Sequence, residues 1–159
     1  MCHYAMRQRK SNKEFTLSWF EEIVCEAMSL YALEYAAKHW ERCELSKRNP
    51  SYCDSIGGYL EGELGKKTMD EFRRCDTIEK LLEYEKEKIA EDRRESHREE
   101  RNLIYEAISS NPNEVKCVLD YPQYLMGNKV LIDFDRWTRD GSCDLLLKLQ
   151  SVQPVSVRG

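Results

Sequence analysis

The sequence contains neither glycine nor proline between Gly65 and Pro112, although it has seven glycines and four prolines in total. Because these two residues are the strongest helix breakers, their absence favours an uninterrupted helix. In the centre of this stretch, residues 83–102, 14 of 20 residues are charged. The sequence therefore predicts one long helix from about Asp76 to Ser110 that is packed at its apolar ends and solvated in its middle.

Motifs with a specific chemical meaning are also missing. The sequence has no phosphate-binding glycine loop, no HExxH zinc motif, no protein-kinase signature and no internal repeat. No apolar run approaches the ~20 residues of a membrane span, and the first residues lack the apolar core of a signal peptide. These absences make an enzyme the less favoured alternative, and we expect a cytoplasmic protein that does not bind a membrane.

The cysteines do not form any CxxC pair. An odd number of thiols without pair spacing is typical of free cysteines in a reducing compartment. We therefore expect no obligatory disulfide, no structural zinc and no cofactor. The seven cysteines are Cys2, Cys25, Cys43, Cys53, Cys75, Cys117 and Cys143.

Positive charge is concentrated at the start of the chain, where the first 13 residues contain four basic residues and no acidic one. The whole chain has a net charge of only -4, which argues against a dedicated nucleic-acid binder. A basic arm can still bind phosphates, so a nucleic-acid-associated protein is one alternative function. The residues that would carry it are Arg7, Arg9, Lys10 and Lys13.

The first helix is predicted to start at Ser18, which has capping-box spacing to Glu21, and to run to about Leu45. Its apolar residues form two adjoining stripes, so this helix should be central to the core. The stripe that is expected to face the long charged helix and the C-terminal segment contains Phe20, Val24, Tyr31 and Tyr35.

Beyond Gly127 the apolar residues change from helical spacing to alternation. One alternating run contains Val130, Ile132 and Phe134, and a second run lies between Cys143 and Val152. This pattern predicts a C-terminal β-hairpin, although the letters LLLKLQ are equally compatible with a helix.

Together these patterns predict a mainly α protein of the α+β class. It is a helical bundle with one long central helix, one long charged helix and a small C-terminal β-hairpin. Shorter helices are expected within residues 50–66, where several glycines weaken the helix, and after Asn111. We interpret 1–13 as a flexible basic arm, 14–152 as a single mainly helical domain and 153–159 as a frayed tail.

Five basic residues of the charged helix fall within about 140° of arc at 100° per residue, with acidic residues on the opposite side. Such a strip could contact phosphates or an acidic protein face, and its side chains are expected to lie outside the core. No aromatic residue interrupts it, which disfavours base stacking. This arginine strip consists of Arg93, Arg94, His97, Arg98 and Arg101.

Two pairs of residues are weak candidates for a metal site. On a strand, Asp133 and Asp135 would share one face and could hold a divalent cation, as in a metal-dependent enzyme. On a helix, His39 and Cys43 would share one face and have ligand types that suit zinc. Neither pair has the further ligands of a known site, so salt-bridged or buried side chains are the favoured interpretation.

We interpret the chain as a non-catalytic interaction protein that binds a protein or ribonucleoprotein partner through charged helical surface. Stoichiometric inhibitors, adaptors and accessory regulators, including small phage-type or other viral regulators, fit this description. A homodimer is compatible with it. The alternatives are a nucleic-acid-associated protein that uses the basic arm and the arginine strip, and a metal-dependent enzyme at Asp133 and Asp135.

Overall fold

The chain is mostly helical in the computed structural model, which describes residues 18–67, 74–87, 95–127, 131–141 and 143–154. The mainly α class predicted from the sequence is confirmed. Within the described ranges the α-helices are α1 (Ser18–Lys38), α2 (Tyr52–Leu64), α3 (Ile78–Glu87), α4 (Arg98–Ser110), α5 (Val115–Val118), α6 (Phe134–Asp140) and α7 (Asp144–Ser151).

Helix α1 lies at the centre of the fold, where it packs against α4 and α2. Phe20 and Val24 are fully buried, as predicted, whereas Tyr31 is only partly buried and Tyr35 is 54% exposed. The burial of this stripe therefore ends before the C-terminal part of α1. Buried residues of the main core on the other elements include Ile104, Ile108, Tyr121, Ile132, Phe134, Trp137, Leu145 and Leu149.

The end of the first predicted helix differs from expectation. Helix α1 ends at Lys38 rather than near Leu45, and the chain continues as 3-10 turns at Trp40–Arg42 and Glu44–Lys47. The ring nitrogen Nδ1 of His39 lies 2.9 Å from the carbonyl oxygen of Tyr35, an atom that also accepts the His39 backbone N–H. Local side-chain to backbone hydrogen bonds of this kind compete with a continuing helix.

The long charged helix is not continuous, so this prediction is wrong. His97 interrupts it with non-helical backbone angles, φ -114° and ψ 25°. The imidazole Nε2 of His97 lies 3.0 Å from Oε1 of Glu85, whereas residues twelve apart in a straight helix would be separated by ~18 Å. Glu85 in the last turn of α3 and His97 at the start of α4 are therefore in contact in the folded chain, which a continuous helix would not permit.

The prediction of a C-terminal β-hairpin is also wrong, because this part of the chain forms the helices α6 and α7. Among the described residues the only β feature is an isolated antiparallel bridge between Leu125 and Ile132. Asp133 caps α6 by accepting a 2.8 Å hydrogen bond from the backbone N–H of Arg136. The side chains of α7 that face the core are Leu145, Leu146 and Leu149, which is helical spacing.

The connection between α6 and α7 is tight at Gly141. A Cβ atom there would lie 3.0 Å from Cδ1 of Leu146 and 3.1 Å from the carbonyl oxygen of Trp137. Glycine therefore permits the close approach of the two helices. Just beyond α7, Gln153 is buried, although the sequence placed it at the start of a frayed tail.

Candidate functional site

The three described residues of the arginine strip, His97, Arg98 and Arg101, do not form a solvent-exposed surface. His97 is 0% exposed and Arg101 is 1% exposed, so the prediction that these side chains lie outside the core is wrong. Arg98 is partly buried and pairs with Glu95, with Nη2 and Oε1 2.9 Å apart. The remaining basic candidates lie outside the described residues, and their roles stay predictions: Arg93 and Arg94 of the strip, and Arg7, Arg9, Lys10 and Lys13 of the arm.

Arg101 connects three helices of the interior. Its Nη1 lies 2.8 Å from Oε1 of Glu26 on α1, and its Nη2 donates a 2.8 Å hydrogen bond to the backbone carbonyl of Glu63 on α2. Nε and Nη2 also donate to Oδ1 of Asn102, at 3.1 Å and 3.0 Å. A buried guanidinium needs this many partners, because burial of an unpaired charge is costly.

His97 lies in a buried polar cluster between two carboxylates. Its Nε2 is 3.0 Å from Oε1 of Glu85, and its Nδ1 is 3.2 Å from Oε1 of Glu100. The imidazole also stacks on the indole of Trp19, with ring centroids 3.8 Å apart. Gln153 donates a 3.3 Å hydrogen bond to the same oxygen of Glu100. The cluster therefore joins α1, α3, α4 and the end of the described chain.

The charge of His97 is stabilised in this cluster. Burial alone lowers the pKa of the imidazole, but the adjacent Glu100 and Glu85 carboxylates outweigh this effect and raise the pKa to about 9. All three side chains are at most 2% exposed, so no substrate can reach them in this conformation. A strongly shifted pKa often marks a functional site. In this conformation, however, the buried His97 contributes to the contacts between helices.

Protein stability is expected to fall as His97 loses its proton. A folded-state pKa of about 9, above the ordinary 6.5, means that the stabilising contribution is complete below pH 6.5 and is lost as the pH rises through 9. We expect the free energy of unfolding to decrease by about 3 kcal/mol over this range. Urea denaturation at a series of pH values measures the decrease.

A variant comparison isolates the contribution of His97 from that of other groups. His97→Gln should be less stable than the wild type at neutral pH and should lack most of the alkaline decrease, whereas the matched variant His39→Gln at the end of α1 should retain it. A wild-type stability that stays constant from pH 6.5 to 9.5 would contradict the assignment.

The two weak metal candidates do not form sites with further ligands within the described part of the chain. Asp133 and Asp135 do not share a strand face, because Asp133 caps α6 and Asp135 lies in its first turn, where it accepts a hydrogen bond from Nε2 of Gln150. His39 and Cys43 do not share a helical face, because α1 ends before both of them. The shared strand face or helical face that made each pair a candidate metal site is therefore not present.

A different cluster contains two thiols and a carboxylate. Sγ of Cys143 lies 3.0 Å from Oε2 of Glu114, and Sγ of Cys117 lies 3.7 Å from the same oxygen. All three potential ligand atoms are within 4.8 Å of one another, and all three residues are partly buried. We call these three residues the thiol cluster. Among the described residues it is the one group of three or more potential metal-ligating side chains that lie this close together.

Local structure explains how the thiol cluster forms. The side chain of Asn111 accepts the backbone N–H of Asn113 and starts the 3-10 turn Pro112–Glu114, which leads directly into α5. Glu114 and Cys117 therefore lie one helical turn apart. Cys143 immediately precedes α7, which packs against α4 and α5.

A cleft of about 280 Å³ opens beside the thiol cluster and includes Glu114 in its lining. It lies between the end of α4 and the start of α7. Its polar lining residues are Glu106, Ser110, Asn111, Glu114, Asp144 and Lys148.

Large apolar side chains are exposed near the C-terminal end of α1 and on the elements that follow it. Tyr35, Tyr52 and Tyr59 are each 54% exposed and Leu45 is 57% exposed. These four side chains, which we call the aromatic surface, come from the last turn of α1, the 3-10 turn Glu44–Lys47 and α2.

Nothing in the sequence marked the thiol cluster or the buried network of His97. The spacing ExxC is common, and the partner Cys143 is distant along the chain. The exposure of the tyrosines could not be derived from periodicity, because Tyr35 continues the stripe of Phe20 and Val24. The thiol cluster, the buried network of His97 and the exposure of the tyrosines all depend on which helices pack together.

No helix in the described ranges is both long enough and apolar enough to span a membrane. Comparison of the chain with protein-family models, with curated proteins and with solved structures finds no match.

Proposed function

We propose that this chain is a non-catalytic binding protein, an inhibitor, adaptor or accessory regulator of a protein or ribonucleoprotein complex. We further propose that the aromatic surface makes the principal contact. The observation that supports this choice is the exposure of Tyr35, Leu45, Tyr52 and Tyr59, each more than half exposed on neighbouring elements. Tyrosine provides large contact area at low conformational-entropy cost, and it is enriched at protein interfaces.

Aromatic packing around this surface supports a preformed binding site. The ring of Tyr35 stacks on His39 with centroids 4.1 Å apart, and Tyr52 packs on Trp40 at 5.3 Å. The indole N–H of Trp40 donates a 2.8 Å hydrogen bond to the carbonyl of Asn49. These contacts restrict the rings before a partner binds, which lowers the entropic cost of binding.

The charges near the aromatic surface favour a protein partner over a nucleic acid. Three local cations already lie close to acidic side chains: Lys38 is 2.6 Å from Glu34, Lys47 is 2.7 Å from Glu44, and Arg42 is 3.7 Å from Glu41. Nucleic-acid binding depends on cations that neutralise phosphates. Apolar and aromatic contact with a protein is therefore the chemistry that this surface offers best.

The contribution of the aromatic surface can be measured by affinity capture from an extract of the source cells. The double variant Tyr52→Ser, Tyr59→Ser should reduce recovery of the partner at least about tenfold relative to wild type, because tyrosine is enriched among the hot-spot residues whose truncation costs about 2 kcal/mol or more. Leu147→Ser is the matched control, since Leu147 is 56% exposed but lies on α7.

A photoreactive amino acid at position 59 should crosslink the captured protein, and the same group at position 147 should not. Equal recovery by the double variant would contradict the proposed surface. Recovery that is abolished by nuclease would support the nucleic-acid alternative with Arg7, Arg9, Lys10 and Lys13. Metal-dependent turnover that is lost on substitution of Asp133 and Asp135 would support the enzyme alternative.

A further inference from the structure

The thiol cluster has the dimensions of a zinc site. Tetrahedral coordination with Zn–S bonds of about 2.3 Å and a Zn–O bond of about 2.0 Å places the ligand atoms about 3.5 to 3.8 Å apart. The two sulfur–oxygen distances at Glu114 are 3.0 Å to Cys143 and 3.7 Å to Cys117. Movements of less than an ångström would therefore bring all three atoms to coordination distance.

The cluster combines donors that are poor partners for one another. Each thiol is only a weak hydrogen-bond donor to the carboxylate of Glu114. A divalent cation would be a better partner, since it attracts all three groups in their anionic forms.

We propose that Glu114, Cys117 and Cys143 bind a thiophilic divalent cation, Zn²⁺ in particular, with the cleft beside Glu114 providing access and the fourth coordination position. Thiolates select soft metals over magnesium and calcium. The cleft borders Glu114, so a water molecule that enters it can complete a tetrahedron. This site is independent of the aromatic surface, and it replaces the expectation of a protein without zinc.

Metal binding would also tie together parts of the chain that are distant in sequence. Glu114 and Cys117 belong to the segment between α4 and α6, whereas Cys143 lies at the start of α7. A metal that binds only the folded arrangement stabilises it in proportion to its concentration and affinity. The proposed effect of the metal is therefore to stabilise the folded arrangement of these segments.

Cobalt titration of the reduced, metal-free protein tests the site. Stoichiometric Co²⁺ should produce the absorption of thiolate-to-cobalt charge transfer and of tetrahedral cobalt, and Zn²⁺ should abolish both by displacement. Cys117→Ser and Cys143→Ser should lose the charge-transfer band, and Glu114→Gln should weaken binding at least about tenfold. Cys53→Ser, in α2 and outside the cluster, should bind like the wild type.

Two measurements on the wild-type chain do not depend on the folding of variants. Zn²⁺ should protect Cys117 and Cys143, but not Cys53, from alkylation, as read by mass spectrometry of peptides. Calorimetry in buffers of different ionisation enthalpy should show that about two protons are released per metal ion at neutral pH, because both thiols are deprotonated on binding.

Failure of reduced wild-type protein to bind Co²⁺ or Zn²⁺ at micromolar concentration would overturn the proposal. Binding that persists with the same spectrum in Cys117→Ser and Cys143→Ser would also overturn it. Formation of a disulfide between these cysteines in protein purified without reductant, together with no metal binding after reduction, would identify a redox pair instead of a metal site.

Discussion

Replacement of Arg101 by Glu is expected to lower the free energy of unfolding by at least about 3 to 5 kcal/mol, the range for a buried ion pair that loses one partner. The new carboxylate would replace a guanidinium that is 1% exposed and would face Glu26 and Glu63. Three acidic groups would then share the junction of α1, α2 and α4. Chemical denaturation monitored by circular dichroism measures the loss.

Arg98→Glu is the matched control for this prediction, because it makes the same chemical change one helical turn away. Arg98 is partly rather than fully buried, and its partner Glu95 has a side chain that is 44% exposed, so water screens the interaction that would be lost. A negative charge in the first turn of α4 is also favoured by the helix dipole. We expect a loss below about 1 kcal/mol. Similar losses for both variants would show that Arg101 is not the buried junction described above.

The contrast between these arginines shows what helical periodicity can predict. A helical wheel correctly groups residues by angle, but it does not show which angle faces the core. The segment around Arg101 is so rich in charge that the angle was assigned to solvent. The structure instead buries Arg101 and His97 because each has acidic partners on other helices, Glu26 for one and Glu85 for the other. Those partners come together only in the folded chain.

The fold was predictable where local signals and burial agree. Helix α2 was predicted despite its glycines, and the start at Asn111 and Pro112 was predicted from cap chemistry. The C-terminal segment was not, because alternating leucines fit a strand face as well as a helix. In the structure, the adjacent Leu145 and Leu146 are both buried, a pattern that a strand with one buried face does not produce.

The candidate sites could be predicted only in part for the same reason. Cysteine types and numbers are visible in the sequence, but their grouping requires the packing of α5 and α7 beside the end of α4. The exposure of the aromatic surface could not be predicted from the sequence either, because it depends on where the burial of α1 ends. Side-chain chemistry is readable from sequence, whereas the tertiary partners of each side chain are not.

Phe20→Ala is expected to lower the free energy of unfolding by about 3 to 5 kcal/mol, as is typical of phenylalanine truncation in a packed core. Phe20 is 0% exposed. Its ring lies between three aromatic neighbours, with centroid distances of 5.5 Å to Trp19, 5.1 Å to Tyr121 and 6.0 Å to Trp137. Loss of the ring would leave a cavity that these large side chains cannot easily fill. Thermal and urea denaturation measure the change.

Tyr35→Ala is the informative control, because Tyr35 lies on the same predicted stripe of α1 but is 54% exposed. We expect it to cost less than about 1 kcal/mol, in line with other exposed positions. A loss below about 1 kcal/mol for Phe20→Ala would place Phe20 at the surface and contradict the central position of α1. A large loss for Tyr35→Ala would mean that burial continues to the end of α1. The aromatic surface would then be part of the core, and the protein contact would have to lie elsewhere.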